Sequence, residues 1–183
     1  GNMADLLITG GLVATCEKDV LSGEIIPGGA VAVRGNSILE VGSTADLVAK
    51  YGKAARTIHS PEGIAMPGII ITHTHMPYVL GHNMPVDFTQ LHSFWDMLQK
   101  IGWEWLEDIT TGQGIYAASR YAAMKMLKSG TTTVCEMVEG PNALPGALSH
   151  SARAIEEVGL RAQVGFEDTE RLPRVSILEK LDP

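Results

Sequence analysis

Scarcities narrow the field first. Only two cysteines, Cys16 and Cys135, occur in 183 residues, far apart and in no C-x-x-C pair. That excludes a disulfide scaffold and a cysteine-built zinc module, and both read as reduced, buried thiols of a cytoplasmic protein. Positive charge is also short: 14 Lys and Arg stand against 21 Asp and Glu, a formal net charge of -7, with no basic run. The electrostatic footprint of a nucleic-acid binder is missing. No apolar stretch approaches the roughly 18 residues a membrane helix needs. The N-terminal segment alternates apolar and polar, without the charged start and apolar block of a secretory signal. Gly1-Asn2 ahead of Met3 reads as an expression remnant. Repeats and low-complexity segments are lacking too. What is present is globular: 45% hydrophobic residues and 19% charged, enough to build a core.

Two rhythms follow one another. Residues 3–64 read as part of a small β-sandwich domain. Asp5–Thr9 and Leu12–Cys16 flank Gly10-Gly11, and Ala30–Arg34 and Ser37–Val41 flank Gly35-Asn36; both pairs predict hairpins. Ser43-Thr44 caps a predicted helix Ala45–Tyr51 that Gly52 closes. Residues 65–183 alternate strand and helix. Gly68–Thr72 is an apolar run suited to a strand buried on both faces. Some helix is expected near Phe94–Lys100. Thr110–Lys128 carries Ile115, Ala118, Tyr121, Ala122, Met126 and Leu127 at helical spacing, with Met124, Met126 and Met137 expected in the core. Thr131–Met137 and Leu160–Phe166 are further strands, separated by a helix Leu144–Val158, and Pro173–Leu181 begins another helix. Such alternation implies a parallel α/β sheet with right-handed crossovers. A closed (β/α)8 barrel takes about 250 residues, so residues 65–183 have room for roughly three to four units: either a small open sheet or part of something larger.

Pro67-Gly68-Ile69-Ile70-Ile71-Thr72-His73-Thr74-His75 carries the chemistry. Two histidines two apart on an extended segment send their rings to one side. Two neutral imidazoles can share one divalent ion, and the C-terminal mouth of a parallel barrel is where such sites sit. A lone H-x-H can also be a pair of capping or core histidines. What favours a ligand role is that an apolar strand ends in two polar rings.

Ala65-Met66-Pro67-Gly68, the apolar strand and His73-Thr74-His75 resemble the first barrel strand of the amidohydrolase superfamily. Asp5–Gly11, Gly29–Val33 and Ile38–Gly42 resemble its sandwich strands. Gly130–Met137 and Trp103-Glu104 through Leu106 resemble its chlorohydrolase, guanine deaminase and S-adenosylhomocysteine deaminase branch. The resemblance implies a partial TIM (β/α)8 barrel (the first three βα units) preceded by part of a β-sandwich. It implies metal ligands His73 and His75, and substrate contact by Glu104, set against a plain helix charge; Trp103 beside it and His82 on the loop after the metal motif are substrate-contact candidates by position, for which a core tryptophan and a surface loop histidine are the plainer readings. The expected cofactor is a divalent metal, zinc before iron. The expected reaction is hydrolysis of an amino or halide group from a nitrogen heterocycle by metal-activated water. The other ligands of that family, on later strands, have no counterpart here: His59, His82, His92 and His150 do not match them, and no catalytic carboxylate is assigned. The chain therefore reads as the N-terminal portion of a longer hydrolase, incomplete alone, with the rest of that chain as partner, a small-molecule substrate, and a homo-oligomeric state when intact. Glu136 is expected to be structural, and Glu167 and Arg171 to follow the third strand near the mouth. The alternatives are hydrolysis of a cyclic amide, imidazolone or dipeptide, or a non-catalytic assembly module.

Overall fold

The computed structural model describes residues 3–17 and 23–167. The chain divides into two compact units, Gly1–Pro67 and Gly68–Pro183.

The first unit contains β1 (Leu6–Thr9), β2 (Leu12–Ala14), β3 (Ile25–Pro27), β4 (Gly29–Arg34), β5 (Ser37–Ser43), α1 (Thr44–Tyr51), β6 (Arg56–His59) and β7 (Ile64–Ala65). They form two small sheets, ordered β5-β4-β1-β6 and β3-β2-β7. The predicted hairpin at Gly35-Asn36 is present: β4 and β5 pair antiparallel, with Arg34 opposite Ser37. The one predicted at Gly10-Gly11 is not. β1 pairs with β4 and β6, whereas β2 pairs with β3 and β7, so the glycines carry the chain from one sheet to the other. They do so against the backbone of residues 60–63: a Cβ on Gly11 would lie 2.1 Å from the Gly63 carbonyl oxygen, a close approach that reads in sequence like a turn. Helix α1 starts as its sequence predicts, Ser43 Oγ accepting the Asp46 N–H, and its Leu47 and Tyr51 pack on Leu7, Ala30 and Ala32.

The second unit contains β8 (Ile69–Thr74), 3-10 turns at Met76–Gly81 and Phe88–Gln90, α2 (Phe94–Met97), α3 (Gly112–Lys128), β9 (Thr131–Val138), α4 (Ala147–Val158) and β10 (Arg161–Phe166). All three strands are parallel, in the order β10-β9-β8, with α3 and α4 as the crossovers. The molecule is thus mixed α/β with a parallel sheet in this unit. Thr111 caps α3 through the Gly114 N–H, and Gly159, at φ +95°, stops α4. The helix near Phe94 is longer than its sequence suggests, because α2 runs into a π-helical stretch, Leu98–Glu107; the Asp108 N–H reaches back to the Trp103 carbonyl. The predicted helix at Pro173–Leu181 lies outside the described residues.

The helices cover one face of the sheet. Ala122, Ala123 and Ile155 pack on Val134, and Ile115 and Ala147 pack on Val138. Thr133, Cys135 and Met137, which alternate with these positions on β9, are only half-buried. Several burial expectations fail. The strand after Gly68 is not buried on both faces: Ile69 and Ile70 are exposed, since β8 has one strand neighbour among the described residues. Tyr121, Met124 and Leu127 also face out, while Met126 packs on the core. Cys16 is exposed and Cys135 partly so, and both are free thiols. Among the described residues no helix is long and apolar enough to cross a membrane.

Candidate metal centre

Strand β8 is irregular where it matters. Ile71 stands opposite Val134 and Thr74 opposite Glu136, so two residues of β8, Thr72 and His73, face the single Cys135 of β9. This is a bulge, one extra residue in one strand. Strict alternation would give His73 the side of Ile71, which packs under the helices with Val134. The bulge reverses the parity, and His73 and His75 fall on the face the helices leave open. Their Nε2 atoms lie 2.9 Å apart, with the rings edge to face at a centroid distance of 4.7 Å. Two nitrogens sharing a tetrahedral ion at ~2.0–2.1 Å lie roughly 3.3 Å apart, so the pair needs to open by only a few tenths of an ångström to hold one. The other nitrogen of His75 points away, Nδ1 lying 3.1 Å from the Met137 carbonyl oxygen. A ring that donates Nδ1–H to a carbonyl presents Nε2 as a lone pair, the tautomer a ligating histidine uses. The donor set fits a zinc-type ion.

Two buried carboxylates frame this pair. Glu136 is fully buried, and both its oxygens accept the Met76 N–H, at 3.0 and 3.1 Å. It ties the residue after His75 to the middle strand, as expected of a structural acid. Burial pushes its pKa up to about 8, the Met76 bond working against the rise. Glu139, directly after β9, is 9% exposed. Its Oε2 has no hydrogen-bond partner and lies 3.6 Å from His75 Nδ1. Burial first, then the neighbouring Glu167 and Glu107 carboxylates, hold its proton far more tightly than usual. Glu167, directly after β10, reaches to 3.8 Å of the same nitrogen. Glu107, at the end of the π-helical stretch, is buried and accepts the Tyr78 O–H at 2.7 Å. Burial and that carboxylate raise the Tyr78 pKa. The contact is tight: a Cβ at residue 102 would meet Tyr78 Oη at 2.7 Å, which only glycine avoids.

The structure therefore brings His73 and His75 together and adds Glu167, which the sequence suggests, with Tyr78, Glu107 and Glu139, which it does not. Glu139 had a signal, a carboxylate on the first residue past a strand. Glu107 had none, because the π-helical stretch turns it inward where a regular helix offers no reason to prefer it to Glu104. Glu104 itself is exposed, and His82 is exposed at the end of the turn after β8. Trp103 is half-buried, edge to face with Trp95 at 5.3 Å. Arg171 lies outside the described residues.

Residues 64–181 match the Amidohydrolase family, and residues 29–54 match the imidazolonepropionase-like composite domain of bacteria. The chain is 31% identical over 164 residues to the 5'-deoxyadenosine deaminase of Methanococcoides burtonii, covering 90% of this chain and 33% of that protein. It is likewise 31% identical over 170 residues to the 5-methylthioadenosine/S-adenosylhomocysteine deaminase of Syntrophobacter fumaroxidans, covering 88% of this chain and 33% of that protein. Among solved structures it is similar to an adenosine deaminase from Xanthomonas campestris with bound zinc, at a TM-score of 0.71 and 28% identity over 87% of this chain and 33% of that one. An atrazine chlorohydrolase from Arthrobacter aurescens, at a TM-score of 0.65 and 21% identity, shares the fold over 87% of this chain and 35% of that one. The chain thus spans about a third of the length of the relatives it matches.

Proposed function

Because this chain belongs to the amidohydrolase family, we propose that its His73 and His75 are two ligands of a divalent metal in a hydrolase that removes an amino group from an adenosine-like nitrogen heterocycle. The observation that carries the reading is the meeting of two Nε2 atoms, 2.9 Å apart, at the C-terminal end of a parallel strand. That is the end at which α/β barrels place their chemistry. The three parallel strands and two crossover helices are read as the opening units of a (β/α)8 barrel. Identity to deaminases of adenosine-like nucleosides supports deamination over dehalogenation. Zinc is the first choice of metal, with iron second.

A metal held there would supply Lewis acidity and activation of water. The residues of this chain prepare the place for it. The Met137 carbonyl beside His75 Nδ1 favours the tautomer that leaves Nε2 free to ligate, and Glu136 anchors the backbone just past that ring. Glu104, Trp103 and His82, all on the segment between β8 and α3, are proposed to contact the substrate. The proton-transferring carboxylate and the remaining ligands would come from the rest of the protein.

The test uses the full-length protein. Purines, pyrimidines and triazines are screened for ammonia or halide release while bound metal is measured in parallel. His73→Ala and His75→Ala are expected to lose the metal together with at least about a hundredfold of activity, since metal and activated water disappear together. Glu104→Gln is expected to raise the substrate requirement with metal retained. Full activity in the histidine variants would overturn the assignment. Cleavage of dipeptides or cyclic imides alone would overturn the substrate class and leave the metal site standing.

A further inference from the structure

His75 has two ring nitrogens, and a metal shared with His73 takes only one. Its Nε2 turns to His73, while its Nδ1 turns to the Met137 carbonyl, Glu139 and Glu167. One ligand atom each from His75, Glu139 and Glu167 lies within 4.8 Å of the others. Glu139 is the member that calls for an occupant. It is nine-tenths buried, and its Oε2 has no hydrogen-bond partner. A buried carboxylate oxygen with no donor is costly.

We propose that Glu139, Glu167 and Nδ1 of His75 form a second divalent-cation site, on the opposite side of the His75 ring from His73. Two carboxylate oxygens and one imidazole nitrogen are a donor set that Zn²⁺ or Mn²⁺ accepts, and a small ion can reach a buried oxygen that a substrate cannot. The Met137 carbonyl lies on the same side as a further oxygen. The two sites compete for the ring. A neutral imidazole carries one proton and one lone pair. With Nδ1–H donated to Met137, the lone pair on Nε2 serves the His73 side. With the proton on Nε2 and donated to His73, the lone pair on Nδ1 serves the carboxylates. Occupation of the carboxylate site therefore withdraws His75 from the proposed catalytic metal, and excess cation should lower the affinity of the His73 site.

The inference rests on the function proposed above only in taking His73 as a ligand of the other site, and the variants separate the two. Metal-stripped full-length protein is titrated with Mn²⁺ and followed by electron paramagnetic resonance, with thermal melting of each variant. His73→Ala should keep a Mn²⁺ site, and His73→Ala/Glu139→Gln should bind there at least about tenfold more weakly. Where Glu139→Gln does not fold, Glu167→Gln at its half-exposed position replaces it, with the same loss expected. Equal Mn²⁺ binding by His73→Ala and by a folded double variant overturns the second site. A His73→Ala protein that keeps every ion of the wild type overturns instead the role of His73.

Discussion

Glu136 is a carboxyl group held in a fold that favours its neutral form. Its folded pKa is raised from 4.5 to about 8 by burial, so its contribution to stability is full below about pH 4.5 and is lost as the pH climbs through about 8. A shift of that size corresponds to a few kcal/mol, on the scale of about 1.4 kcal/mol per unit. Urea unfolding between pH 5 and 9 should show wild-type stability falling across that window. Glu136→Gln, which keeps an acceptor for the Met76 N–H, should remove that part of the fall; parallel curves for the two proteins would refute it. Tyr78 gives a second test at this scale. Tyr78→Phe deletes one donor to buried Glu107, and the loss of that hydrogen bond is expected to cost about 0.5–1.5 kcal/mol, read from the same unfolding curves.

Among the elements, α3 and α4 show how packing divides residues that periodicity treats alike. They meet through small side chains, with Ser119 Oγ and Ser151 Oγ 3.1 Å apart and fully buried. Ile155 drives into the cluster with Ala122, Ala123 and Val134. Tyr121 sits on the predicted apolar stripe of α3 and is 44% exposed. Ile155→Ala is expected to cost about 2–5 kcal/mol and Tyr121→Ala no more than about 0.5 kcal/mol, both measured as shifts in denaturant midpoint at constant slope. A Tyr121 effect as large as that of Ile155 would mean that α3 buries a second face. The bulge in β8 belongs to this scale as well. One extra residue opposite Cys135 decides that both histidines leave the helix-covered face.

At the scale of the whole molecule, apolar surface is prominent. Ile38 and Ile58 in the first unit, and Ile69, Ile70, Phe94, Trp95 and Ile109 in the second, are exposed. Both edge strands of the parallel sheet, β8 and β10, have one strand neighbour among the described residues, and an unpaired edge invites association. A polypeptide of these 183 residues made alone is expected to bind a hydrophobic dye, to change apparent size with concentration, to hold metal weakly and to release no ammonia from any heterocycle tried. A cooperative, dye-silent monomer would contradict this.

The sequence by itself determined the parts that local chemistry dictates. Ser43 caps a helix through its own hydroxyl, Gly159 ends one by its positive φ, and Gly35-Asn36 turns a hairpin. The apolar run ending in His73-Thr74-His75 marks a strand with two histidines two residues apart, because that spacing is a property of extended backbone. Only the tertiary structure decided which face those histidines take, since a bulge is a relation between two strands. The partners of Gly10-Gly11 were likewise settled by the pairing of β1 with β4 and β2 with β3, which local turn chemistry does not encode. The carboxylates beside His75 come from the ends of two separate strands, at residues 139 and 167. Their convergence depends on the parallel stacking of strand ends, and long-range contact of that kind leaves no spacing in the sequence to read.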